Sequence, residues 1–267
     1  HDYPADLKQC VDAPFMLFSK GKINFNNDRI ISIVGTRNMT TYGKGFVKEL
    51  IQDLKKYNPL IVSGYAFGVD ISAHLAAIEH DLQTVAVLGQ SLQTTYPKSH
   101  VKYNKSIVEK GGFITEFSIN DKVSRENFIR RNRIIAGLSK ATIVVESAFK
   151  GGSLSTAKFA NDYNRDVFAL PGRISDPYSL GCNHLIKTNQ ANLISSVDDL
   201  VYYLNWDVSN KAINETKSFQ IPADLNTDEL SVVQFLLQSG SEILDVIALK
   251  TNIPVYKLVV ILLNLEL

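Results

Sequence analysis

Six short apolar runs recur along the first two thirds of the chain, and between them the pattern turns helical. The runs are Ile30-Ile31-Ser32-Ile33-Val34, Leu60-Ile61-Val62, Thr84 to Leu88, Gly112-Phe113-Ile114, Ala141 to Val145 and Asp166 to Leu170. Each is continuous rather than alternating, so both faces of the strand must be covered, as in a parallel sheet flanked by helices. Between the first two runs Phe46, Val47, Leu50, Ile51, Leu54 and Tyr57 follow helical spacing, and Thr40 or Thr41 is placed to cap the start. This is a βαβ unit, and the alternation continues to Trp206. The fold expected is α/β: an extended Rossmann-like, mostly parallel sheet over residues 30–206, preceded by a lead-in segment, 1–29.

A polar stretch, 207–226, reads as a linker. Residues 227–267 then hold three short helical patterns: Thr227 is placed to cap the first, Ser241 the second, and Pro254 suits the first turn of the third. That suggests a small winged-helix-like module, with the chain stopping at Leu267 where such a module would continue into a β-hairpin; it is expected to be incomplete. Its charge is acidic. From Leu225 to Leu267, Lys250 and Lys257 face Asp228, Glu229, Glu242, Asp245 and Glu266, two cations against five anions or a net of −3. A groove-reading helix needs positive charge near phosphates, so protein contact is the expected role.

Composition excludes several classes. The 267 residues are 45% hydrophobic and 21% charged, ordinary values for a globular chain. Cys10 and Cys182 lie far apart with no metal-ligand spacing around them, which argues against a disulfide framework or a zinc site and fits a reducing cytoplasm. No apolar run is long enough to span a bilayer, so no membrane partner is expected. Formal net charge is +1, so a nucleic-acid partner must be held by a local basic patch.

The segments that can carry chemistry fall at strand ends. Gly35-Thr36-Arg37 closes the first strand and Lys44 follows as the next helix opens. Ligands of parallel sheets sit there, where helix N-termini offer free N–H groups to anions. The spacing is not G-x-G-x-x-G, which disfavours a dinucleotide, and no cofactor is expected. Ser63-Gly64 closes the second strand, and Gly68, Asp70 and His74 follow, with Asp70 and His74 on one helical face. An acid and an imidazole so placed suit catalysis or half a metal site. The stronger reading is structural, with Asp70 at the positive helix end fixing His74 by a hydrogen bond, and neither a catalytic residue nor a metal is assigned.

Arg130, Arg131, Asn132 and Arg133 crowd one predicted helix behind Phe128. Such arginines either pair with surface carboxylates or meet an anion. Glu126 is the only acid nearby in sequence, which favours phosphate contact, and Phe128 offers a stacking platform for a base or else belongs to the core. Finally Lys150-Gly151-Gly152-Ser153 enters a helix as a second anion-binding turn, without the G-x-x-x-x-G-K-[ST] spacing of a nucleotide-hydrolysing loop.

Taken in order, these segments resemble the DprA/Smf family of bacterial DNA-processing proteins. The match runs through Gly35-Thr36-Arg37 with Tyr42-Gly43, Ser63-Gly64 to Asp70 with Ala73-His74, and Ala86 to Gly89 with Tyr96-Pro97. It continues through Arg131 to Ser139, Gly152-Ser153-Leu154 with Thr156-Ala157, Pro171-Gly172, and Gly181-Cys182-Asn183 with Leu185-Ile186, covering residues 3–194. The resemblance implies a homodimer that binds single-stranded DNA with little sequence preference, shields incoming DNA in natural transformation and loads RecA recombinase. Carried over by motif, Arg37, Arg131, Arg133 and the Lys150–Ser153 turn form its DNA pocket with Phe128 stacking. Tyr65 and Phe67 stand where the family pattern has small or aliphatic residues, so this pocket is expected to be more aromatic. Family members often begin with a further helical domain, so an upstream piece is expected. The competing reading is an enzyme, a nucleotide phosphoribohydrolase of the LOG type. That family's motif puts its catalytic glutamate where this chain has Thr156, which cannot act as a carboxylate.

Overall fold

The computed structural model describes residues 3–206, 225–239 and 242–266. The chain divides into two compact units, residues 1–207 and 208–267.

The first unit is a three-layer α/β/α sandwich around an eight-stranded sheet. Its strands are β1 (Phe18–Gly21), β2 (Ile30–Val34), β3 (Leu60–Ser63), β4 (Thr84–Val87), β5 (Gly111–Thr115), β6 (Ala141–Val144), β7 (Asp166–Ala169) and β8 (Asn192–Leu193). They lie in the order β1-β5-β4-β3-β2-β6-β7-β8, all neighbours parallel except β1 on β5. The order reverses between β2 and β6, which makes the carboxyl ends on either side of β2 the natural ligand crevice of such a sheet.

Strand β2 shows why the apolar runs are continuous. Ile31 and Ile33 point into one core layer with Val47, Leu50 and Ile51 of α2 (Thr41–Leu54) and Val69 and Ala73 of α3 (Val69–Glu79). Ile30 and Val34 point into the other, with Leu7 of α1 (Ala5–Lys8), Ile134, Ile135 and Leu138 of α5 (Arg125–Leu138) and Ala157 and Ala160 of α6 (Ser153–Asp162). Ser32, on this second face, is kept by a buried hydroxyl pair with Thr142, 2.8 Å away. Helices α4 (Asn104–Glu109), α7 (Leu180–Lys187) and α8 (Val197–Tyr203) complete the unit.

The segment before Ile30 is more than a lead-in. Leu7 and Cys10 are buried in the core, and β1 pairs antiparallel with β5 from Phe18↔Thr115 to Gly21↔Gly112. Only Phe18 of this edge strand is partly covered, the next three residues being exposed, so it lacks the apolar run that marks the inner strands.

Among its described residues the second unit has three helices, α9 (Thr227–Ser239), α10 (Leu244–Thr251) and α11 (Val255–Glu266), closed on Val232, Ile247, Ile253, Leu258 and Ile261. The cap of α9 lies one residue earlier than expected. Asn226, not Thr227, accepts from the N–H groups of Asp228 and Glu229, and Glu229 accepts in return from Asn226 N–H. Ser241 and most of the 207–226 linker fall outside the described residues. Among the described residues no single helix is long and apolar enough to cross a bilayer, and no group of three or more metal-ligating side chains forms.

Candidate nucleic-acid interface

A cavity opens at the carboxyl ends of the strands beside β2. It is lined by Arg37 from the β2 end, Tyr65, Ala66 and Phe67 from the β3 end, Val87 to Gln90 from the β4 end, Tyr96 and Pro97 from the loop beyond, and Phe128 and Arg131 of α5. Arg37 is exposed, while Arg131 is only 5% exposed and donates from Nη1 to Val87 O. The rings form a wall. Tyr96 and Phe128 stand 5.5 Å apart and tilted, and Phe67 meets His100 edge-on at 4.8 Å. Phe67 and Tyr96 remain nearly half exposed, so their faces are available to a ligand.

The glycines at the rim allow two close approaches. Gly68 has φ +76°, and a Cβ there would strike Thr36 O at 2.2 Å; its absence lets the β2 and β3 loops pack backbone on backbone and brings Arg37 beside Phe67. At Gly64 a Cβ would fall 2.3 Å from both Arg131 Nη1 and Asp70 Oδ2, so the missing side chain makes room for a guanidinium and a carboxyl group. Gly35 packs under Val69, and Ser63 is buried, donating from Oγ to Ile33 O at 2.6 Å.

Asp70 and His74 do not form the pair expected from their spacing. Asp70 accepts from Ala66 N–H at 3.3 Å, and burial pushes its carboxyl above the usual carboxylate range, the nearby Arg131 guanidinium opposing. His74 turns instead to Gly64 O and Thr84 Oγ1, both at 2.6 Å. Gly64 O can only accept, so Nε2 carries the ring proton. Burial drops the imidazole pKa to about 4, and it ties the β3 turn to β4 as a neutral ring.

The arginine helix divides between two faces. Arg131 reaches the cavity; Arg130 and Arg133 do not. They face a groove lined by Asp12 to Met16 and Glu116, where Glu116 Oε2 accepts from Arg133 Nη2 at 2.6 Å and Arg130 Nη2 at 2.7 Å. Arg133 is buried and also donates to Asp12 O. Arg133 and Arg130, expected from the sequence to meet phosphate, thus have a carboxylate partner that the local sequence does not offer. Their carboxylate comes from the end of β5, well outside the local sequence, and Arg133 is already neutralised away from solvent.

The single pocket expected from the motifs is likewise two places. Lys150, Gly151, Gly152 and Ser153 cap the β6 end and do not line the cavity with Arg37. Lys150 is exposed, and Ser153 is turned inward with its hydroxyl on Ser147 Oγ at 2.9 Å. Asn132, next to Arg131 on α5, turns to the second of these, donating to Ser155 Oγ at 2.9 Å and to Gly152 O at 3.4 Å. Lys44 is exposed early in α2 and lines neither. At the switch between β2 and β6, where dinucleotide binders seat pyrophosphate on a helix N-terminus, buried Glu146 accepts from Thr40 N–H at 2.9 Å. The protein's own carboxylate holds that position. Residues that sequence reasoning missed are Gln90 in the cavity wall and Glu116; the only signal for either was position, directly beyond an apolar strand.

Fold and site together define a Rossmann-like protein with an arginine-and-aromatic cavity at the strand ends. The profile of the DNA recombination-mediator protein A family matches residues 1–205. The chain is 36% identical to protein Smf of Escherichia coli over 268 aligned positions, spanning 99% of this chain and 71% of that one. It is 38% identical to the DNA processing protein DprA of Streptococcus pneumoniae over 199 positions, 74% of this chain and 70% of the other. The X-ray structure of that pneumococcal protein is similar with a TM-score of 0.70, covering 75% of this chain and 70% of its own. A structure of DNA processing protein A from Helicobacter pylori, concerned with its single-stranded DNA binding mode, is similar with a TM-score of 0.71 at 29% identity, covering 78% of this chain and 94% of that one. The chain belongs to the DNA recombination-mediator protein A family, with the Smf and DprA DNA-processing proteins.

Proposed function

We propose that this protein binds single-stranded DNA in the strand-end cavity without catalysing a reaction on it. The observation that carries the reading is the union, in one cavity, of exposed Arg37 with the rings of Phe67, Tyr96 and Phe128. Phosphate charge and base stacking are the two terms that hold single strands without sequence preference. The Helicobacter pylori relative's single-stranded DNA binding mode supports the same ligand class. From family resemblance the proposal extends to a cytoplasmic homodimer that shields incoming DNA during natural transformation and loads RecA recombinase. Lys150 to Ser153, held to α5 through Asn132, extend the track toward β6 and give the next phosphate a helix N-terminus.

Fluorescence anisotropy with labelled oligothymidylate at two salt concentrations tests the reading. Arg37→Ala is expected to weaken binding on the order of tenfold and to lower the salt slope by about 0.7, the share of one phosphate contact on a single strand. Unchanged affinity and slope overturn the cavity as the DNA site. RecA filament assembly on coated single strands, with and without the protein, tests the loading role. Release of free base from nucleoside monophosphates would instead favour the LOG-type enzyme.

A further inference from the structure

Tyr65 is buried, and its hydroxyl stands 2.9 Å from both His100 O and Asn104 Oδ1, which share its one proton. His100 donates in return from Nδ1 to Tyr65 O at 3.1 Å, so the two residues are joined twice. The end of β3 is thereby clipped to the connection between β4 and α4, the segment that carries Tyr96 and Pro97. From the clip the hold runs on to the cavity rim. Asn104 donates from Nδ2 to Thr95 Oγ1 at 2.9 Å, directly beside Tyr96, and a short 3-10 helix, Lys98–Tyr103, fills the stretch between Pro97 and Asn104. The His100 ring also stands edge-on to Phe67 at 4.8 Å and to Tyr65 at 5.2 Å. Both half-exposed rings of the wall, Phe67 and Tyr96, thus rest on groups pinned by one buried tyrosine.

We infer that Tyr65 and His100 are positioning residues, which hold Phe67 and Tyr96 where a stacked ligand meets them, so that stacking depends on a hydroxyl already used inside the protein. The inference rests on the proposed single-strand site and goes further, to what fixes its aromatic wall. The physical reason is entropic. A ring carried on a surface connection loses freedom when a ligand settles on it, and a ring already held in place has less to lose. Arg37 enters the cavity from a different segment, the end of β2, so the clip governs stacking and leaves phosphate contact alone.

Anisotropy with labelled oligothymidylate and with an abasic oligomer of the same length separates the two contributions. Wild-type protein is expected to prefer oligothymidylate by about tenfold or more, the worth of stacked bases. Tyr65→Phe keeps the ring and removes the hydroxyl. It is expected to lose about five- to tenfold on oligothymidylate, to stay within about twofold on the abasic oligomer and to keep its salt slope. Thr95→Val, at the far end of the hydrogen-bonded run, is expected to show the same selective loss at about threefold. The double variant should then lose little more than Tyr65→Phe alone, because both changes act on one segment. Thr95→Val also carries the test should Tyr65→Phe fail to fold. Equal losses on the two oligomers, as a general loosening of the fold would give, overturn the inference, and so does undiminished oligothymidylate affinity in Tyr65→Phe. A wild type without preference between the oligomers overturns it too, in which case Arg37→Ala still weakens binding of both if the single-strand site is right. Insensitivity to Arg37→Ala would remove both readings.

Discussion

Helix α5 presents two arginines two residues apart to two different environments. Arg131 faces a cavity and has Asp70 beside it, buried and pushed toward its neutral form. Arg133 faces Glu116 and a backbone carbonyl and is spent on holding α5 to the N-terminal segment. The same side chain thus lines a cavity on one face and ties two segments together on the other. The difference lies in which carboxylates the fold brings near and how freely they ionise. Clustered arginine in a sequence measures charge, whereas clustered arginine in a cavity measures charge that has not already been neutralised.

The largest effect that could break this comparison is at Arg133. Arg133→Ala leaves the Glu116 carboxylate buried, with exposed Arg130 its only remaining ion-pair partner among the described residues, and is expected to cost about 3–5 kcal/mol of stability in urea unfolding. Single-strand affinity of the folded fraction should stay within about twofold; a loss near the one expected of Arg37→Ala would return Arg133 to the DNA site.

The cavity side carries a pH signature. His74 has a folded pKa of about 4 against 6.5 for the ordinary ring, so between those values the unfolded chain takes up a proton that the folded chain refuses. Stability then falls as pH falls through that window, by roughly 3 kcal/mol from this residue, with the loss complete once the folded ring also protonates. Asp70, with its raised pKa, acts in the opposite sense, so the decisive quantity is the difference between wild type and His74→Gln. The variant is expected to show a flatter profile from pH 6.5 to 4, read by thermal melts, and an unchanged slope would remove the neutral buried imidazole.

Phe128→Ala sharpens the cavity side. A lost stacking platform is worth about 1–3 kcal/mol per base, hence about five- to a hundred-fold in single-strand affinity by anisotropy, with the salt slope unchanged because no phosphate contact is removed. The smallest effects fall outside the cavity: Lys44→Ala and Arg130→Ala are each expected to change affinity by less than about twofold, as befits an exposed lysine and an arginine already paired.

How far the sequence carried the reading differs between strands and side chains. The six inner strands were legible because a strand buried on both faces has to be continuously apolar, and Ile30 to Val34 is buried at all five positions. Strand β1 was not, because an edge strand needs no such run and Phe18-Ser-Lys-Gly21 has none. In the site, Arg37, Phe128, Arg131 and the small residues around Gly64 and Gly68 were named from their motifs and do meet in or around one cavity. The pairing of Asp70 with His74 failed for a local reason: Thr84 and Gly64 O lie closer to the ring than its helical neighbour does, and both satisfy it without charge.

What the sequence by itself determined is the layer architecture and the family, because both are written in periodicity and in short motifs whose meaning is local. Which arginines remain available to a ligand was decided only by tertiary structure. Glu116 lies 17 residues from Arg133, and Asp12 lies 121 from it, distances at which sequence neighbourhood says nothing. Coulomb attraction and desolvation depend on separation in space, so the same run of arginines becomes a ligand contact or a salt bridge according to which chain segment folds against it.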